Sequence, residues 1–184
     1  MKAIDVFLHA DVSRIAVIGS PGSGKSTFAF QVGQILDRKV VPLDRVLWQP
    51  GWVLPPADER KSVHDKLIAE DCWIIDGMWG SLVADRFARA TTVIFLDVCS
   101  LTCARRAFWR SLKYKGKPRA DMAEGCEEKF DREFLQYILG FPRTIRPKIL
   151  QLASDNPSVT FIMLKGVGQT KRFVADLQKS FRTD

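Results

Sequence analysis

Five short apolar runs, each rich in Val, Ile or Phe, punctuate this chain at residues 14–18, 39–43, 73–75, 92–96 and 159–164. Runs this short, with little polar alternation, suit strands buried on both faces, as in a parallel sheet covered by helices on either side. Between them the apolar period changes. Phe28, Val32, Ile35 and Leu36 recur at helical spacing within residues 25–36, and similar stripes mark residues 57–70, 101–112, 127–152 and 170–181. Strand and helix alternating over the whole length predict a doubly wound α/β sheet. Residues 114–125 break the pattern with Gly116, Pro118 and alternating basic residues, which predicts a loop that moves.

The first strand runs into Gly19-Ser20-Pro21-Gly22-Ser23-Gly24-Lys25-Ser26-Thr27, and a helical pattern follows directly. In this strand–loop–helix context the spacing G-x-x-x-x-G-K-[ST] has a mechanical meaning. Glycines let the backbone curl until its N–H groups and the helix N-terminus converge on a polyphosphate. Lys25 is then expected to reach the terminal phosphates and Ser26 to offer its hydroxyl to Mg²⁺, so ATP with Mg²⁺ is the expected ligand.

Length and charge add bounds rather than choices. The 184 residues fit one domain, expected to span the whole chain, with a lid at about residues 111–130. The 28 Lys and Arg against 21 Asp and Glu leave +7, which suits a phosphorylated ligand, nucleic acid or an anionic surface equally. Cys72, Cys99, Cys103 and Cys126 form no C-x-x-C pair, and His9 and His64 are distant in sequence, so no zinc pattern arises and reduced thiols are expected. The first ten residues have neither the composition of a signal peptide nor the length of a membrane span. A cytoplasmic protein that engages no membrane is the expectation, and oligomeric state is not legible.

Three of the apolar runs end in acid, at Asp44, Asp76 and Asp97. Ligands of such sheets bind beyond the carboxyl ends of the strands. Asp76 in Trp73-Ile74-Ile75-Asp76-Gly77 is expected to support the metal, the alternative being a helix cap. Asp97 reads as a cap or loop organiser. Asp44 is placed to orient or deprotonate an acceptor hydroxyl. Trp48 and Trp52, just beyond it, either stack on an acceptor or complete a small satellite core. Arg105, Arg106, Arg110, Lys113, Lys115, Lys117 and Arg119 follow one another with no acid among them. Arg106 and Arg110, one helical turn apart, would face one ligand and stabilise charge on a transferring phosphoryl group, whereas Arg105 points elsewhere. The alternative is a solvated basic face paired with the acids of residues 121–133.

Taken together, the glycine-rich loop, Leu43-Asp44-Arg45, Trp48-Gln49-Pro50-Gly51-Trp52 and Trp73-Ile74-Ile75-Asp76-Gly77 resemble the topology modulation proteins related to FlaR, an adenylate-kinase-like family. So do Lys115-Gly116-Lys117-Pro118-Arg119-Ala120-Asp121-Met122-Ala123-Glu124-Gly125-Cys126, Phe141-Pro142 and Arg146-Pro147-Lys148-Ile149. The resemblance implies a P-loop NTPase fold: a three-layer α/β/α sandwich, a five-stranded parallel sheet of order 2-3-1-4-5 and a helical lid. It implies further that Arg106 and Arg110 enter the lid, that Arg119 and Arg132 correspond to its later arginines, and that Gly166 lies in the loop touching the donor base. Where adenylate kinases carry D-G-F-P-R for the phosphate of their acceptor, this chain has Asp76-Gly77-Met78-Trp79-Gly80, without the arginine. The expected activity is transfer of the γ-phosphoryl of ATP to a nucleotide or a small hydroxylated metabolite. The alternative is a nucleotide-dependent, DNA-associated protein that modulates topology; no groove-reading motif accompanies it.

Overall fold

The computed structural model describes residues 2–114, 122–123, 125–126 and 131–182. Five parallel strands, β1 (Arg14–Gly19), β2 (Val40–Pro42), β3 (Trp73–Asp76), β4 (Thr92–Asp97) and β5 (Thr160–Lys165), form one sheet of order β2-β3-β1-β4-β5. β1 lies at its centre, with Val17 opposite Asp76 of β3 and Gly19 opposite Leu96 of β4. The ends of β1, β3 and β4 therefore emerge side by side.

Alternate residues of the strands feed two apolar layers, which is why the runs show no polar alternation. Ile18, Ile75, Val93 and Phe95 pack on one face with Phe87, Phe141 and Ile149. Ile15, Val17, Ile74, Ile94 and Leu96 pack on the other with Phe28, Val32, Phe173 and Leu177. The helices are α1 (Ala3–Leu8), α2 (Lys25–Ile35), α3 (Leu43–Leu47), α4 (Ala57–Ala69), α5 (Val83–Arg89), α6 (Ser100–Lys113), α7 (Arg132–Thr144), α8 (Arg146–Asp155) and α9 (Gly166–Ser180). Helices on both faces complete the expected three-layer α/β/α sandwich.

Four local expectations are corrected. The second strand stops at Pro42, and Leu43 opens α3, so Asp44 lies in the first turn of a short helix rather than at a strand end. The helical stretch expected over 127–152 is two helices that meet at Ile145. Pro147 sits in the first turn of α8, where its missing N–H breaks no helical bond. The last helix starts at Gly166, four residues before its apolar stripe. Helices α1 and α5 were not expected, being short and weakly patterned. Most of the expected lid, residues 111–130, lies outside the described residues; its first turn continues α6 through Lys113. No helix among the described residues is long and apolar enough to cross a membrane.

Candidate active site

The glycine-rich loop is shaped by two positive backbone angles. Gly24, the N-cap of α2, has φ +93°, and Gly22 has φ +79°. At Gly22 a Cβ would also lie 2.3 Å from the Cys103 carbonyl oxygen on α6, so no side chain fits there. The loop is pinned by Ser23 N–H donating to Ser20 O at 3.1 Å and by Arg106 Nη1 donating to Ser23 O at 3.4 Å. Burial pushes the Cys103 thiol up to about 11, so it stays neutral behind the loop.

Two cavities open where the loop meets α6. The first, about 430 Å³, is bounded by Gly22, Ser23, Gly24 and Thr27 from the loop, by Arg106 and Arg110 from α6, and by Val167, Thr170 and Lys171 from α9. The second, about 410 Å³, is bounded by Pro21, Asp44, three tryptophans at 48, 52 and 79, and by Asp131, Phe134 and Tyr137 from α7 and its cap. Lys25, Ser26 and Arg110 line both. They form the seam between one space lined, among the described residues, by cations and no carboxylate and another lined by carboxylates and rings.

The residues singled out in the sequence differ in where they lie. Ser20 is buried at the base of the loop, and Gly19 closes β1 beneath it. Pro21 through Thr27, Asp44, Arg106 and Arg110 border one cavity or both. Arg105 is exposed and borders neither. Arg132, the first residue of α7, is exposed and lines neither cavity, while its neighbour Asp131 does. Gly166 opens α9 with φ +74° and lies just before the lining residue Val167. Arg119 lies outside the described residues.

Asp76 is 4% exposed at the end of β3, one strand from the loop. Asp76 borders neither cavity, but its carboxylate and the Ser26 hydroxyl at the start of α2 are both oxygen donors, the kind a hard cation such as Mg²⁺ takes, so the residue types present fit that ion. Asp97 is engaged elsewhere: Arg146 Nε donates to both of its oxygens, at 3.2 and 3.0 Å, tying the end of β4 to the start of α8. That is an organising contact, as its sequence setting suggested.

Several site residues carried no clear sequence signal. Trp79 Nε1 donates to Asp44 Oδ1 at 2.8 Å, fixing the carboxylate at the mouth of the second cavity. Arg86 of α5 is fully buried and donates from Nη2 to the carbonyls of Gly77 and Met78, at 2.9 and 2.8 Å. Burial pushes its guanidinium down to about 10, still charged at neutral pH, with Asp76 and Asp44 nearby holding it up. It stiffens the turn after β3 from beneath. A charged residue on the apolar stripe of Val83 and Phe87 was the available signal.

No family model matches the sequence, and no curated protein matches it. Solved structures do. A shikimate kinase from Acinetobacter baumannii in complex with shikimate aligns over 97% of this chain and 97% of its own, at 12% identity and a TM-score of 0.61. The fold is that of the P-loop kinases. A gluconokinase from Sinorhizobium meliloti 1021 covers 95% of this chain and 98% of its own, at 15% identity and TM-score 0.52. A shikimate kinase from Bacteroides thetaiotaomicron covers 92% and 98%, at 14% identity and TM-score 0.51. These likenesses carry the adenylate-kinase-like fold; none of them supports the narrower resemblance to topology modulation proteins.

Proposed function

We propose that this protein is an ATP-dependent kinase that phosphorylates a hydroxyl group of a small metabolite. The supporting observation is the seam: Lys25, Ser26 and Arg110 border a cationic cavity on one side and a carboxylate-bearing one on the other. In this reading the triphosphate lies on the loop amides and the N-terminus of α2, with Arg106 against it. Ser26 and Asp76 hold Mg²⁺, which when bound neutralises charge on the β- and γ-phosphates. The acceptor hydroxyl oxygen bonds to the γ-phosphorus while the bond from that phosphorus to the bridging oxygen breaks, releasing ADP. The hydroxyl proton passes to Asp44 Oδ2, because Trp79 holds Oδ1. Lys25 and Arg110 stabilise the charge on the phosphoryl oxygens in transit. Arg119 completes the clamp in the resemblance-based reading, from which Arg132, exposed and outside both cavities, is left out, and the base of ATP rests near Gly166 and α9.

The structural neighbours are kinases of small hydroxylated molecules, which favours a metabolite over AMP, as does the missing arginine after Gly77. They lend no support to the DNA-associated alternative. Calorimetry with Mg-ATP, followed by ADP release across hydroxylated metabolites and nucleoside monophosphates, tests the proposal. Uptake of nucleotide and acceptor-dependent ADP release are expected. Folded protein that takes up no nucleotide, or ADP release that no acceptor stimulates, overturns it.

A further inference from the structure

The second cavity has a chemical character the loop does not explain. Setting aside the seam residues Lys25 and Arg110, its described lining contains two carboxylates, Asp44 and Asp131, and no lysine or arginine. Five aromatic side chains complete it: the three tryptophans, Phe134 and Tyr137. Trp48 stands edge-on to Trp52, with ring centroids 5.3 Å apart and planes at 72°, and lies 5.5 Å from Trp79. Trp48 and Trp52 also pack on Met122, Ala123 and Cys126, which by itself would make them a small core, and Trp79 packs against the main core. They nevertheless stay half-buried around about 410 Å³ of open space, so part of each indole is available to a ligand.

The nearby charges reinforce this character. Arg60 lies against the Trp79 ring, 5.8 Å from its centroid, but its Nη1 donates to the Pro55 carbonyl and the residue does not line the cavity. Burial, and after it the negative charge of Asp44, push the Tyr137 phenol up, so it stays a neutral donor. Asp131 caps α7 through Oδ1, which accepts from Phe134 N–H at 2.8 Å, and leaves Oδ2 to a ligand. Among the described residues, an acceptor carboxylate or phosphate placed here would meet two like charges and no cation beyond the seam pair that the donor phosphates require. A protonated amine would meet carboxylates and the negative faces of indole rings, the arrangement that favours ammonium ions.

We infer that the acceptor is a hydroxylated ring bearing a protonated amine, of the amino-sugar or aminocyclitol class, rather than an acid or a nucleotide. The inference rests on the kinase reading for the identity of the cavity, but its charge preference is measurable without catalysis. Tryptophan fluorescence of the whole protein, saturated with Mg²⁺ and a non-hydrolysable ATP analogue, would be titrated with two matched series. One is glucosamine, glucose and glucuronate; the other is 2-deoxystreptamine, myo-inositol and quinate. ADP release with ATP would be followed in parallel.

The amine of each series is expected to bind about tenfold tighter than its carboxylate partner and about threefold tighter than the neutral ring. Asp131→Asn keeps a residue that caps helices equally well while removing the charge. It should shrink the amine-over-neutral difference, Asp44 still being present, and weaken the amine more than the neutral ring; equal losses for both would overturn the inference. A carboxylate or neutral ring that binds as well as the amine, or absence of any fluorescence response to the amines, overturns the inference. Amine binding with no ADP release in any series leaves the charge preference standing and removes the kinase reading. ADP release that is fastest with the carboxylates does the reverse.

Discussion

The two cavities that meet at Lys25 are built from different kinds of structure. The first, the donor side in the proposed reading, is lined by one contiguous stretch of the glycine-rich loop and the start of α2, with Gly22 close against α6 and cations from Lys25, Arg106, Arg110 and Lys171. The acceptor side consists of side chains from separate places, with α3 and its following loop, the turn after β3, and α7 each supplying a few. In that reading, main chain would grip what every nucleoside triphosphate shares, and a short contiguous motif suffices to encode it. Side chains gathered from distant segments would read what differs between acceptors, and no contiguous motif records them.

The largest test of this contrast is at the seam. Lys25→Ala should lower kcat by roughly 10³-fold, while Asp97→Ala, which loosens only the contact to Arg146, should leave most turnover intact. Equal losses in steady-state assays would mean that one of the two roles is misassigned. Next is the backbone itself. Gly22→Ala forces a Cβ to within 2.3 Å of the Cys103 carbonyl, and Mg-ATP affinity measured by calorimetry should fall by about 100-fold. An alanine variant that binds nucleotide normally would show that the loop tolerates displacement.

On the acceptor side, Trp79→Phe removes the hydrogen bond to Asp44. It should cost about tenfold in kcat/KM for the acceptor with no change in ATP affinity, because the bond fixes only the carboxylate. A matching loss in ATP affinity would erase the division between the cavities.

The smallest effect lies outside both, at His64 of α4. Its buried ring makes no hydrogen bond through either nitrogen, and burial, with Arg86 adding to it, pushes its pKa down to about 4 from 6.5. The unfolded chain therefore takes up this proton first as the pH falls. The stability present above pH 6.5 should drain away towards pH 4. Urea midpoints for the wild type and His64→Leu between pH 7 and 4.5 check this: the variant should lose that part of the pH dependence. Catalysis at neutral pH should not change in the variant, which makes it a control for the other three.

The legible parts of the sequence were those in which one short segment does the whole job. Strand positions came from uninterrupted apolar runs, and the loop came from glycine spacing. Arg106 and Arg110 were paired by helical spacing alone, and α6 does turn both toward the loop. Asp44 was identified as a candidate, but its setting was not, because Pro42 ended β2 early and gave Leu43 to a helix. Arg86 and Trp79 were passed over for a common reason. Each acts through a partner remote from it: Arg86 through carbonyls after β3, and Trp79 through a carboxylate 35 positions away.

The sequence by itself determined the sheet, its two buried faces and the glycine-rich loop, because backbone hydrogen bonding and hydrophobic period act over a few neighbouring residues. Only the tertiary structure decided which carboxylates and rings surround the second cavity, and that no described cation beyond the seam stands among them. Such a charge balance is a property of a space between elements. It exists only after the parallel sheet has brought α3, the β3 turn and α7 around the same opening.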